Sequence, residues 1–303
     1  MNPIRKYIAV MITSVLGITN AIAQQGPQYT QFMFNNLAIN PAYAGADEHL
    51  SITVLSRNQW TSIDNAPSTQ SLAAHTLLGK RVGAGLLLIH DRIGVHKNTN
   101  AVASYAYHLR AGKNAFLSLG LQAGVKSFRS DYPSIAGTSN DPLLAKYIKE
   151  TKLSLGAGVY YRSPKLDAGV SFPGLLSRKL NLNDTSIVKF RNADLLGYLR
   201  YRITLSPSFI LQPSALVKFF PGLPTSFDTN LMVIYKQVLS TGVSYRNNES
   251  LDLVIKIQLT VRLEAGYSYD YPIGNGTFLN SSSHEIMLHY VFRKNTRNIA
   301  SPR

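Results

Sequence analysis

"LDLVIKIQLTVRLEAGYSYDY", Leu251 to Tyr271, is apolar at every odd position and mostly polar, charged or glycine at the even ones. Leu251, Leu253, Ile255, Ile257, Leu259, Val261 and Leu263 fall on one side of an extended chain; Asp252, Lys256, Gln258, Thr260, Arg262 and Glu264 fall on the other. That is the period of a β-strand whose two faces meet different environments. At about 3.3 Å per residue a single strand would run roughly 70 Å, longer than any ordinary strand. The stretch therefore divides near Thr260 to Arg262, into two strands long enough to span a bilayer. The alternation keeps its phase across the break, so Leu259 and Leu263 face the same way only across an odd-length loop. A tight periplasmic turn of about three residues, built without glycine, is expected there.

From His49 the chain breaks into about fourteen alternating segments of strand length. They lie near 49–60, 68–78, 81–91, 98–109, 114–127, 152–162, 165–172, 193–203, 208–219, 225–235, 238–246, 251–259, 261–271 and 284–293. "AFLSLGLQAGV" sets Ala115, Leu117, Leu119, Leu121, Ala123 and Val125 against Ser118, Gly120, Gln122 and Gly124. "KLSLGAGVYYR" sets Leu153, Leu155, Ala157, Val159 and Tyr161 against Lys152, Ser154, Gly156, Gly158 and Arg162. No segment has a convincing helical period. Taken alternately, one set of connections is short, at 79–80, 110–113, 163–164, 204–207 and 236–237. Every long one belongs to the other set: Arg129 to Thr151, Pro173 to Asn192 and Pro272 to Ser283. A soluble sandwich has no reason to segregate loop lengths by parity. An outer-membrane barrel does, with short periplasmic turns, longer extracellular loops and an even strand count. The expected fold is all-β: a transmembrane up-and-down antiparallel barrel of about fourteen strands over 49–293.

The N-terminus fits export. Arg5 and Lys6 precede an apolar stretch around Ile8 to Ile18, and Ala21-Ile22-Ala23 offers a small-x-small cleavage site before Gln24. Residues 1–23 read as a secretory signal peptide, with an apolar core too short to span a bilayer. No cysteine lies near the cleavage site, so a lipoprotein is excluded. Cysteine is absent throughout, which rules out disulfides, zinc–thiolate sites and thiol nucleophiles. Beyond the signal no apolar run approaches the length of a membrane helix. A hydrophobic content of 45% suits a soluble chain, but also a barrel, whose alternate residues alone face lipid. The formal charge is +15, or +13 once Arg5 and Lys6 are removed. Export and the scatter of the Lys and Arg argue against nucleic acid. Anionic head groups, a basic lumen or an acidic protein partner fit better.

The last segment, "HEIMLHYVF", puts Ile286, Leu288, Tyr290 and Phe292 on one face and ends on an aromatic, like the signal read by barrel-assembly machinery. Residues 294–303 would follow it as a periplasmic tail. Many of the 17 Tyr and 12 Phe lie near segment ends, as interfacial girdles require.

Chemistry is not visible. The seven His form no spaced metal motif, and Glu285 in "SHEIML" has no second ligand nearby in sequence. His90 and Asp91 are adjacent on a strand and so point to opposite faces. No nucleophile elbow, phosphate loop or dinucleotide fingerprint is present. No cofactor and no catalysis are expected. The faces opposite lipid carry Lys126, Lys152, Arg162, Arg200, Arg202, Lys256 and Arg262, a candidate basic lumen, since a charge facing lipid at mid-bilayer costs a few kcal/mol. They suit a solvated wall paired with carboxylates, an anion-selective path or a cradle for an acidic segment.

The mature N-terminal stretch adds a resemblance. Phe32-Met33-Phe34-Asn35, then Asn40-Pro41-Ala42-Tyr43-Ala44-Gly45, then Gln59-Trp60 and Ala66-Pro67-Ser68-Thr69-Gln70 resemble motifs of the PorP/SprF family. Those are outer-membrane proteins of the Bacteroidetes type IX secretion and gliding machinery. "SYAYHL", "GAGVYYRSPKLDAGVSFPGLL", "LQPSALVKF", "GYSYDY" and "SHEIMLHYVF" extend the similarity over the mature chain, with Asn36 a departure where the family has Pro. The resemblance implies a non-enzymatic component that helps export or anchor a particular surface protein, such as a large adhesin, through its C-terminal secretion signal. Its implied partners are that C-terminal domain, outer-membrane lipid and other type IX components, periplasmic ones included. The alternative is a passive anion-selective channel or small-solute transporter. Residues 24–48 are expected to lie off the barrel, as a plug or a periplasmic docking segment.

Overall fold

The computed structural model describes residues 28–133, 147–179, 193–274 and 281–292. The signal peptide, its cleavage site and the C-terminal tail lie outside the described residues.

Fourteen strands form one antiparallel sheet. They are β1 (Leu50–Asn58), β2 (Ser68–Leu78), β3 (Val82–Ile93), β4 (His96–Arg110), β5 (Phe116–Asp131), β6 (Tyr147–Arg162) and β7 (Leu166–Lys179). Next come β8 (Leu195–Tyr201, resuming at Ile203–Thr204), β9 (Phe209–Phe219), β10 (Ser226–Tyr235) and β11 (Leu239–Arg246). β12 (Ser250–Gln258), β13 (Leu263–Pro272) and β14 (Ser283–Phe292) complete the wall. Each strand pairs with its sequence neighbours, and β14 pairs with β1 from Leu50↔Phe292 to Asn58↔His284, so the sheet closes on itself. Closure leaves no edge, which is what lets strands stand in a bilayer. The break in β8 has a local cause. Ser214 faces Arg200 and Leu211 faces Ile203, so Pro213 stands opposite Tyr201, and it has no N–H to give.

The alternation maps onto the two faces. On β12, Leu251, Leu253, Ile255 and Ile257 point outward and Ser250, Asp252 and Val254 inward, with Leu253 61% exposed and Asp252 fully buried. Outward aromatics pair near both rims, Phe209 with Tyr235 at 4.9 Å at one end and Phe227 with Tyr245 at 6.5 Å at the other.

The turn inside the opening stretch has three residues, Thr260, Val261 and Arg262, between Leu259 and Leu263. Leu259 N–H donates to the Leu263 carbonyl at 2.9 Å, and the Thr260 hydroxyl accepts the N–H groups of Arg262 and Leu263 at 3.2 and 3.0 Å. The threonine hydroxyl holds the turn by bonding the backbone just ahead of it, so no glycine is needed. The Lys236–Gln237 turn also lacks glycine, and both of its residues take positive φ, 48° and 57°.

The turns at 79–81, 111–115, 163–165, 205–208, 236–238 and 259–262, the start of β1 and the end of β14 share one end, which for an outer-membrane barrel is periplasmic; the other end has tight turns at 94–95 and 247–249 besides its longer connections. Several strands outrun the sequence reading. β5 reaches Asp131, β6 begins at Tyr147 and β7 reaches Lys179, with Asp131 paired to Tyr147. Past the bilayer the apolar period lapses, because both faces meet water, while main-chain pairing continues. Alternation therefore marked only the membrane-buried part of those hairpins. β1 falls short of its expected end, because the chain turns at Trp60 with φ 48°.

Candidate functional site

Residues 28–48 run through the lumen rather than joining the wall. Three single-turn 3-10 helices, Phe32–Phe34, Asn36–Ala38 and Pro41–Tyr43, carry the chain, and Tyr29 to Ala44 are almost entirely buried. The segment starts near the outer rim, descends antiparallel to β1, and enters β1 at the periplasmic rim.

Its outer end is held by ions. Glu285 on β14 accepts the main-chain N–H groups of Thr30 at 2.9 Å and Gln31 at 2.8 Å. Arg57 on β1 lies 2.6 Å from Asp270 and 3.4 Å from Glu285, and it donates to the Thr30 hydroxyl at 2.7 Å. The Thr30 hydroxyl in turn donates to Asp270 at 2.7 Å. Arg246 reaches the Tyr29 carbonyl at 3.3 Å and Asp228 at 3.2 Å, and Lys218 meets Asp228 at 2.9 Å. Arg57, Asp228, Asp270 and Glu285 are all 3% exposed or less, so each charge there depends on its partners.

The middle and the inner end are held by fit. Asn40 caps its own turn by accepting the Ala42 N–H at 2.9 Å, and its amide donates to the Val159 and Val170 carbonyls at 3.0 and 3.3 Å. Tyr43 packs edge-on against Tyr160 at 5.3 Å and against His75 at 5.4 Å. Phe32 meets Tyr198 edge-on, and Lys256 lies over the Phe34 ring at 4.8 Å. Glycine makes this approach possible. A Cβ on Gly83 would collide with the Ala44 carbonyl, one on Gly120 with Ala42, and one on Gly158 with the Asn40 side chain. His108 bonds the Ala44 carbonyl at 2.9 Å, and Gly45, at φ 79°, donates its N–H to His75 at 3.2 Å. Asp47 closes the inner end beside His75 at 3.4 Å and Arg162 at 3.5 Å. Burial works against its charge, yet His75, Arg162 and His289 hold the Asp47 carboxyl below the usual carboxylate range.

The motif residues Phe32, Met33, Phe34, Asn35, Asn40, Pro41, Ala42, Tyr43, Ala44 and Gly45 thus share one packed segment. Gln59, Trp60, Ala66 and Pro67 lie elsewhere, in the outer β1–β2 loop. There Gln59 N–H donates to the Pro67 carbonyl at 2.9 Å and Trp60 N–H to the Ser283 hydroxyl at 3.2 Å. On β14, Ile286, Leu288 and Phe292 face outward and Tyr290 is half-buried.

The basic lumenal set divides. Arg162 binds the Ala46 carbonyl and Asp47, Arg200 pairs with Asp167, and Lys256 meets Glu264 at 2.7 Å. Lys152 meets Glu150 at 3.3 Å near the outer end, and Lys126 is half-buried. Arg202 bonds Gln212 at 3.3 Å at the strand break. Arg262 is not on the lumenal wall: it belongs to the three-residue turn, because β12 ends at Gln258. Sequence reading missed Arg57, Lys218, Asp228, Arg246, Asp270 and Glu285. Their one signal was a charge on the polar face of an apolar-alternating strand. The assembled site can bind and orient a chain segment, and that segment lies buried along the lumen.

Among known proteins, a family model described as "Type IX secretion system membrane protein PorP/SprF" matches residues 21–290. No curated protein matches the chain. Solved structures with a similar trace include the CymD monoaromatic hydrocarbon channel, at 12% identity and TM-score 0.48, covering 90% of this chain and 95% of that one. The Ralstonia pickettii toluene transporter TbuX aligns at 11% identity and TM-score 0.47, covering 85% and 93%. Omp33 of Acinetobacter baumannii aligns at 9% identity and TM-score 0.47, covering 81% and 99%. Likenesses this distant carry no functional argument.

Proposed function

The chain belongs to the PorP/SprF family of type IX secretion membrane proteins, and from that premise we propose that it serves the export or surface attachment of one particular secreted protein. That protein, a large adhesin or a similar surface molecule, is engaged through its C-terminal secretion signal, with other type IX components at the periplasmic face. The outer-membrane barrel is the fixed scaffold, and residues 28–48 are its plug. The observation that carries this reading is the lumen itself. From Thr30 at the outer ion cluster to Asp47 at the inner rim, the bore is taken up by the chain's own buried residues. A barrel so filled offers docking faces to proteins, and it does not favour a passive anion-selective channel or a small-solute path.

Deleting the gene and taking an inventory of surface proteins tests it. One or a few large surface proteins should disappear from the cell surface and return on complementation. If the surface inventory is unchanged, the reading fails.

A further inference from the structure

The family reading leaves the charge unexplained, and the fold shows where it goes. Lumenal bases are matched by carboxylates: Arg57 with Asp270 and Glu285, Arg200 with Asp167, Arg246 and Lys218 with Asp228, Lys256 with Glu264. Further bases collect on the periplasmic rim. The first of its six turns carries Lys80 and Arg81, the second Lys113, the third Lys165, the fifth Lys236 and the sixth Arg262. The fourth follows Arg202, at the break in β8. No Asp or Glu occurs in any of these turns, at 79–81, 111–115, 163–165, 205–208, 236–238 and 259–262. Lys80, Arg81, Lys113, Lys165 and Lys236 are exposed. Asp47 and the exposed Glu48, just before β1, are acidic residues at the same rim, outside the turns; among the described residues the outer end carries the two signs more evenly, with Asp131, Glu150 and Glu249 beside Arg92, Lys97, Arg129 and Lys149.

We propose that this arc of turn-borne Lys and Arg is a docking collar for an acidic protein surface on the periplasmic side. The proposal rests on the type IX reading only for the kind of machinery that supplies such a surface. Three features favour a protein over anionic lipid. The bases sit beyond the last paired residues, Lys80 outside Leu78↔Val82 and Lys236 outside Tyr235↔Leu239, so they stand past the strands that the bilayer grips. They occur in five of the six hairpin turns around the mouth, an arc suited to end-on contact. The mouth they surround is filled by the segment ending at Asp47, so the arc guards no open ion path. Exposed charges act over about 8 Å at physiological salt, which makes the collar a contact surface for a body that seats on the rim. Such complementarity sets encounter rate and orientation as well as affinity.

The full-length barrel in nanodiscs of zwitterionic lipid, with poly-glutamate as probe, tests the idea. The variant reverses four turns, Lys80→Glu, Lys113→Glu, Lys165→Glu and Lys236→Glu. A control reverses the outer end, Lys97→Glu, Arg129→Glu and Lys149→Glu. Retained heat-modifiable gel mobility shows that each barrel is folded. The collar predicts salt-sensitive poly-glutamate binding that weakens at least about tenfold in the rim variant and is unchanged in the control. No binding, or equal loss in both variants, overturns it. Capture of phosphatidylglycerol vesicles without poly-glutamate binding overturns it in favour of a membrane surface. In cells, the rim variant should lose the surface proteins that the deletion loses, at normal barrel levels. Normal export by the rim variant, with export lost on deletion, rejects the collar and leaves the secretion role standing. Unchanged export on deletion rejects the secretion role.

Discussion

Arg57 sits 2.6 Å from Asp270, an ion pair between the first strand and the thirteenth that reaches past the intervening last strand. Replacing Arg57 with Met would leave two buried carboxylates, Asp270 and Glu285, without their cation. Breaking one partner out of such a cluster costs about 3–5 kcal/mol. Equilibrium unfolding of Arg57→Met in lipid should show that loss, and Arg57→Lys should lose less.

The glycine-lined approach makes a conductance prediction. Gly158→Leu puts a side chain where Asn40 stands and should displace the segment from Asn40 to Gly45. Planar-bilayer recordings should show little current through the native barrel and a several-fold rise in the variant. The same substitution at Gly197, where a Cβ meets nothing within 4 Å, should leave the current unchanged.

Asp47 gives the pH dependence. Its carboxyl is held below the usual range, so its contribution is fully present above the unfolded-state value of about 3.9 and is lost as pH falls through the lower folded value. Acid should loosen the inner end of the segment, and conductance of the native barrel should rise as the pH drops below about 4. In Asp47→Asn conductance should already be raised at neutral pH, with no further acid step.

Leu253 faces lipid near the middle of β12. Leu253→Arg should cost about 2–4 kcal/mol in barrel stability, the price of a charge near the bilayer midplane. Thr241→Arg on β11, paired with Ile255 on the same outward face, should act in the same direction. Reversible folding into vesicles measures both.

The barrel was legible because lipid imposes a period that no tertiary contact overrides. Leu251 to Tyr271 alone showed two strands, a shared phase and a three-residue turn. Loop parity supplied the topology, since each hairpin is local in sequence. The interior was much less legible. Glu285 had no visible partner because Thr30 and Gln31 lie more than 250 residues away. Gly120 and Gly158 read as small polar-face residues, and only the fold shows what needs their space. Arg262 was counted with the lumenal wall because its even position continues the polar phase, although the same stretch already put the turn at Thr260 to Arg262.

The sequence separation between Thr30 and Glu285, 255 residues, also orders events in time. The carboxylate that holds the N-terminal residues belongs to the last strand, so their site is complete only once the first and last strands meet. Until β14 lies against β1, Thr30 and Gln31 have no acceptor for their main-chain N–H groups, and Arg57 lacks Glu285. The segment joins β1 at the periplasmic rim, so it can lie in the opening before the seam zips or fold in through the mouth afterwards. Either way, the final hydrogen bonds register that the cup has become a cylinder.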